Sequence, residues 1–540
     1  MAEPAPQRVW RAACSFCGAP VEFRSAASPM AVCTFCKSTL VREDDALRRI
    51  GQSAELFDDH SPLALGTRGR YQGEPFLLVG RVQMASGPVG GSGDAVDAAR
   101  WSEWHALFDN GRSAWLSEDN GAYVMSLAQP ALHALPDLSQ WAPGQSVIVE
   151  QQPWVVGSVV MARVLAAQGE LAFKPDFQNA FRLIELRNTQ DQVLSLDTSE
   201  LPPRRYLGQS VTLASLNLSG TRDEGPEQAS EARVAGRGLS CPNCGNALTV
   251  QLSSTQSIVC GACDSVVDIS QGLGAAMAQH QQQNGITEPL VPLGTTGRLR
   301  VDGQVGDWQV VGYLERCDVP APGSDDEVTF WREYLLYHRQ RGFAFLVDAE
   351  DGWSVVRPIT GVPADQGRGR MLLRNIKYRL TYSYQAQTSH VLGEFYWRVK
   401  ACQRDKVSDY VGEGSDHTRR LSREEAGGEI TWSQGQTLTA DEVMKAFGLT
   451  DRAKASFERD VKPLSSLSDL GSRVGVWVYL GIALVVVLFA LKACDDDCDQ
   501  VRDRFGQASV EYQQCRSSSG GSSGYRGGSH GGFSSGGFHK

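Results

Sequence analysis

Residues 14–36 read CSFCGAPVEFRSAASPMAVCTFC, and residues 241–263 read CPNCGNALTVQLSSTQSIVCGAC. In the first, Cys14 and Cys17 are followed after fifteen residues by Cys33 and Cys36. In the second, Cys241 and Cys244 are followed after the same interval by Cys260 and Cys263. Two residues between cysteines let a tight turn aim both sulfurs at one ion, and a hairpin between the turns brings two such pairs together tetrahedrally. Gly18 and Gly245 stand just after the leading pairs, where such a turn favours a positive φ. VEFR at 21–24 and ALTV at 247–250 are the expected hairpin strands. The spacing therefore predicts two zinc ribbons, over 10–42 and 238–270. Four thiolates leave no open coordination position, so the expected cofactors are two structural zinc ions, with rubredoxin-like iron as the alternative. A ribbon this small has almost no core, and its metal supplies the folding energy.

The repeat extends beyond the cysteines. Cys14 to Cys241 is a shift of 227 residues, and LALGTRGRYQG at 63–73 meets VPLGTTGRLRVDG at 291–303 with Gly66 opposite Gly294. LLVGRVQ at 77–83 then matches QVVGYLER at 309–316, Gly80 opposite Gly312. WSEWHALFDNGRSAWLSEDNGAYVM at 101–125 matches WREYLLYHRQRGFAFLVDAEDGWSVV at 331–356. Asn110-Gly111 is a hairpin signal between aromatic-rich runs, replaced by a looser turn around Arg341-Gly342. Further turns at 118–121 and 350–352 complete the pattern of a β-meander. The fold class is mainly β, with a small antiparallel sandwich or open barrel over 55–215 and again over 290–450.

Within the repeat, Glu103 and Glu333 each stand two residues after a tryptophan, Trp101 and Trp331. Neither a histidine, a nucleophile nor a second acid recurs with them, so a hydrogen-bonding structural acid is the better reading than a catalytic one. Gly169-Glu170-Leu171 resembles Gly393-Glu394-Phe395, each opening the last part of its copy, and turn-and-strand geometry explains the pair. The ordered set of G-x-x-G-R, V-G-R/Y, W-x-E-x-x-L, an aromatic-rich strand, GEFYWRVKACQRDKVSDYVGEG at 393–414 and EITWSQGQTLTADEVMKAF at 429–447 resembles the bacterial domain of unknown function numbered 4178. The resemblance spans most of 55–215 and 290–450, the second copy more fully, and implies a fold and a context rather than a reaction.

Between the copies, SGTRDEGPEQASEARVAGRGL at 219–239 has the polar composition of a connector. Thr439-x-x-Glu442 is a capping box, Val443, Met444 and Phe447 form an apolar face, and Gly448 is a natural stop, which predicts one short closing helix. VGVWVYLGIALVVVLFAL at 474–491 is uncharged throughout; at 1.5 Å per residue it spans about 27 Å of a hydrocarbon core of about 30 Å. Trp477 and Tyr479 suit one interface, and Arg473 and Lys492 border the span, so a single transmembrane helix is expected. The Gly/Ser-rich stretch 516–540 is expected to be a disordered tail.

The N-terminus lacks the apolar core of a signal peptide, and thiolate quartets need a reducing compartment. The expected topology is a single pass through the inner membrane with the N-terminal region cytoplasmic. Cys494, Cys498 and Cys515 would then lie on the oxidising side. The formal charge of −10 disfavours nucleic acid as a partner, because sequence-independent binding rests on many Lys/Arg contacts. With no complete catalytic set, the leading functional expectation is a membrane-anchored scaffold whose modules bind protein partners. A small-ligand receptor or enzyme with its pocket near Glu103 or Glu333, and nucleic-acid binding through the ribbons, are the alternatives.

Overall fold

In the computed structural model, each repeat folds into an eight-stranded antiparallel barrel that carries a cysteine ribbon on one of its strands. The structure describes residues 10–458 except 25–29, 44–45, 53–60, 88–98, 120–121, 132–136, 223–238, 249, 251–254, 256, 270–278, 283–287, 321–327, 339–340, 398, 400–403, 427 and 450–453. Residues 474–491, the tail at 516–540, Cys494, Cys498, Cys515 and most of the 219–239 connector lie outside it. Among the described residues no helix is long and apolar enough to cross a membrane.

The first barrel comprises β1 (Glu74–Gly87), β2 (Ala99–Phe108), β3 (Ser113–Asp119), β4 (Ala122–Gln129), β5 (Gln152–Leu171), β6 (Phe181–Arg187), β7 (Gln192–Asp197) and β8 (Arg204–Val211). The second comprises β9 (Gln304–Asp318), β10 (Phe330–His338), β11 (Gly342–Ala349), β12 (Gly352–Ile359), β13 (Ile376–Phe395), β14 (Arg404–Gly412), β15 (Arg419–Ala426) and β16 (Glu429–Leu438). The sequence reading predicted an open barrel or a sandwich, but the sheet closes. Strand β5 is 20 residues long: its first half pairs with β6 and its second with β1, while β4 pairs with β8 to complete the ring. β13 does the same between β14 and β9, with β12 on β16. Register shifts at Val164/Ala166 and Glu315/Arg316 bend these seams, as closing a sheet of eight strands requires.

Trp101, Trp115, Val82, Met84, Val160, Leu183 and Tyr206 come from strands around the whole ring yet form one cluster, so they fill the first lumen. Leu314, Trp331, Phe345, Val356, Ala386 and Val407 do so in the second. The outer face of each meander is apolar as well, and a closing turn covers it. Helix α1 (Ala440–Phe447) buries Val443, Met444 and Phe447 there. Its predicted capping box is present: Glu442 N–H donates to Thr439 Oγ1 at 3.2 Å, and Thr439 N–H to Glu442 Oε2 at 2.7 Å. Thr439→Ala should cost about 1 kcal/mol in a denaturation titration. The first copy, without a comparable helix among the described residues, uses a 3-10 turn at Leu213–Leu216 that is capped by Thr212 and Ser215 and buries Leu216.

This cover explains the G-x-x-G pattern. Gly66 and Gly294 adopt φ of +94° and +81°. A Cβ on Gly69 would stand 2.4 Å from Phe76, and one on Gly297 2.4 Å from Phe447, so the second glycine makes room for the aromatic side chain packed over it.

The two barrels touch through a bridge between Ser158 and Glu429, the Arg374–Asp191 pair at 3.0 Å, and the Val362 N–H donated to Asn188 O at 3.1 Å.

Candidate metal centres

The ribbons join the barrel sheets directly. In the first, Met30–Val32 pairs with Ser38–Glu43 on one side and with Gly169–Leu171 of β5 on the other. In the second, Ser257–Val259 pairs with Ser265–Asp268 and, through Ser257 and Ile258, with Phe395 and Glu394 of β13. This assigns a role to the Gly-Glu pairs, which lie within strands near their ends. Gly169 and Gly393 take φ of +74° and +86° inside continuous strands, and their missing side chains let the chain run against Val79 O and Val311 O. Glu170 Oε2 accepts the Arg24 N–H at 2.7 Å, and Glu394 Oε2 accepts the Thr255 hydroxyl at 2.6 Å. Each acid thus pins its ribbon to its barrel.

Within each ribbon the four sulfurs lie within 4.8 Å of one another. Cys14–Cys36 and Cys17–Cys33 are separated by 3.7 Å, Cys241–Cys263 by 3.7 Å and Cys244–Cys260 by 3.6 Å. Four thiolates placed tetrahedrally at about 2.3 Å from an ion sit about 3.8 Å apart, so the donor set fits one metal per quartet. Each Cys-x-x-Cys is a tight knuckle. Gly18 N–H donates to Cys14 O at 2.9 Å, Lys37 N–H to Cys33 O at 3.0 Å, Gly245 N–H to Cys241 O at 2.8 Å and Asp264 N–H to Cys260 O at 2.9 Å. Gly18 and Gly245 have the positive φ the sequence predicts. Lys37 and Asp264 occupy the same conformation in the trailing knuckles, where no glycine signalled it. Ser38 Oγ lies 3.2 Å from Cys36 Sγ and Ser265 Oγ 3.3 Å from Cys263 Sγ, while Asn243 Nδ2 donates to Cys263 Sγ at 3.5 Å. Hydrogen bonds of this kind stabilise thiolate charge on a ligating sulfur.

Glu103 and Glu333 stand in the two lumens, both fully buried. Trp101 Nε1–H donates to Glu103 Oε1 and Trp331 Nε1–H to Glu333 Oε1, each at 2.7 Å. The recurring tryptophan and acid are therefore one hydrogen-bonded unit in each copy. The surroundings differ between copies. Ser117 Oγ–H donates to Glu103 at 2.7 Å. Around Glu333, Arg316 Nη1 lies at 3.5 Å, and Arg316 Nη2 reaches Asp405 at 3.0 Å and Glu424 at 3.5 Å. The two other acids that share Arg316 with Glu333 come from strands 70 or more residues further along the chain, so local pattern reading missed them.

Two buried groups titrate in opposite senses. Burial pushes His105 down to about 4, the hydrogen-bonding contact of Nδ1 with Glu170 O opposing it. Burial likewise pushes Glu333 up to about 8, against the attraction of Arg316. His105 is neutral folded and unfolded above its ordinary 6.5, so its contribution is lost as pH falls from about 6.5 towards 4. Glu333 stays protonated in the fold while the unfolded group ionises near 4.5, so its contribution is present in acid and lost as pH rises towards 8. Denaturation midpoints across this range should show His105→Gln flattening the acid limb relative to the parent protein and Glu333→Gln the alkaline one.

Fold and site together define a tandem protein of two modules, each an eight-stranded barrel carrying a four-cysteine cluster able to hold a metal ion. The chain belongs to the family described as Domain of unknown function (DUF4178), whose model matches residues 64–213 and 297–440, one copy in each barrel and together more than half of the chain. No curated protein and no solved structure matches it.

Proposed function

We propose that this chain is a single-span, inner-membrane protein whose two modules stand in the cytoplasm, each stapled by a structural zinc ion, and gather protein partners at the membrane surface. The observation that carries the protein-binding part is the tip of the first ribbon. Phe16 and Phe35, one in each knuckle beside the cysteines, are 59% and 80% exposed. Aromatic side chains held outward on a rigid support supply interface contact with little further ordering cost. Asn243 and Ala262 take these positions in the second ribbon, so the two modules are not equivalent docking surfaces. The uncharged run at 474–491 supports the anchor, and thiolate ligands support the reducing side.

The test is crosslinking in intact membranes followed by purification, comparing the parent chain with Phe16→Ser/Phe35→Ser. A defined partner captured by the parent and lost from the variant is the expected result. The same partners on both would remove the basis of the reading. Deleting 474–491 should release the protein into the soluble fraction, and retention in membranes would exclude the anchor.

A second reading, a ligand pocket in the second barrel, has one observation in its favour: among the described residues, Glu333 Oε2 and Arg316 Nε are buried without a hydrogen-bond partner. It requires a small molecule that copurifies with the parent chain and is absent from Glu333→Ala.

A further inference from the structure

The junction of the first ribbon with its barrel forms a cleft of about 370 Å3, lined by Arg24, Arg68, Arg70, Asp109, Asn217 and Ser219 among others. That volume lies within the usual range of small-molecule sites, about 300–1,000 Å3. Three separate features of the fold put the arginines there. Arg24 ends the ribbon hairpin, and its N–H is fixed by the buried Glu170 carboxylate at 2.7 Å. Arg68 and Arg70 lie two apart on the strand Arg68–Tyr71, so they share its exposed face while Gly69 turns to the interior. The Arg68 backbone is fastened in both directions to Ser219, at 2.9 Å each way.

Charge makes this cleft unusual in a chain of net charge −10. Among the described residues none of the three guanidinium groups makes an ion pair; Arg70 Nη1 donates to Gly73 O at 3.1 Å. Asp109, the lone acid of the lining, is likewise unpaired. Three positive groups and one negative group leave a net +2 held open to solvent. The sequence of the second module does not repeat the three arginines. Gln251 and Thr296 stand where the first has Arg24 and Arg68, and Arg298 alone corresponds to Arg70.

We propose that this cleft binds a phosphate-bearing anion. The planar fork of arginine matches phosphate oxygens and donates several hydrogen bonds at once, and a phosphate dianion balances the +2 that a single carboxylate would leave half neutralised. The phosphate can be carried by a soluble ester or by a phospholipid headgroup.

The full chain in a neutral detergent is titrated calorimetrically with two probes, inorganic diphosphate and a short-chain phosphatidylglycerol. Binding should weaken as salt rises. It should fall by about tenfold or more in Arg24→Gln/Arg68→Gln, which keeps the backbone N–H that Glu170 holds. Asp109→Asn should tighten it, an effect that damage to the fold cannot produce, and Arg298→Gln in the second module should leave it unchanged. Binding of both probes supports recognition of the phosphate itself. Binding of the lipid alone assigns a headgroup, and of diphosphate alone a soluble ester. Binding of neither, or binding indifferent to the Arg24/Arg68 pair, overturns the proposal.

Discussion

Gly80→Ala unfolds the first module at temperatures where the second stays intact. An added Cβ would stand 1.9 Å from Glu170 O and 2.8 Å from its carbonyl carbon. Both are backbone atoms, and they have little room to retreat. Glu170 is paired to Ala31 of the ribbon, and its neighbour Gly169 is paired to Gly80 itself. The clash therefore strikes the seam that closes the barrel and the one that seats the ribbon, and a loss beyond about 4 kcal/mol is expected. Gly312→Ala, at the same place in the second copy, meets Glu394 O at 2.8 Å and the Phe395 ring at 2.9 Å. A ring can shift slightly, so the loss should be smaller. Gly73→Ala is the control: nothing stands within 4 Å of its Cβ, and only its φ of +87° opposes the change, at about 1–2 kcal/mol. Denaturant titration of the three variants, followed by near-ultraviolet circular dichroism, should return that order.

Cys33→Ser should lower the metal content from about two ions per chain to about one and melt the first ribbon. Structural tetrathiolate sites bind with an apparent free energy on the order of 10–16 kcal/mol, and a ribbon has little else to hold it. Its own core is small, built on Cys14, Val21, Phe23, Ala31, Cys33 and Leu40. Damage should spread as far as the lumen cluster, because Met30 and Val32 pack there. Cys260→Ser should give the mirror result in the second module, leaving the first ion in place. Hydrogen exchange resolved along the chain would separate the two responses. Equal loss of protection in both modules would contradict the independence of the two quartets.

Local chemistry was legible in the sequence, and long-range pairing was not. The cysteine intervals fixed which sulfurs meet, and Thr439-x-x-Glu442 with Gly448 marked α1 to the residue, because knuckles and caps are made within a few positions. Trp101 with Glu103 and Trp331 with Glu333 were visible as pairs for the same reason. Closure of the barrel depends on β5 meeting β6 with one half and β1 with the other, and no local window carries that choice. The cluster around Arg316 joins residues 333, 405 and 424 through strands that become neighbours only after closure. Both trailing knuckles were read from their cysteine pairs, but their positive φ was not, because it falls on Lys37 and Asp264 rather than on glycine. Gly169 and Gly393 were noticed and read only as turn-and-strand geometry; a glycine within a strand-like run is also the mark of a close backbone approach, which is what they make.

The most direct measurement is metal analysis of the full chain purified under reducing conditions, with the absorption spectrum after cobalt substitution. About two ions per chain, zinc as isolated, and the charge-transfer bands of cobalt bound by four thiolates are the expected result. A protein free of metal, or one whose eight ribbon cysteines are bridged as disulfides, would contradict the paired metal-stapled modules.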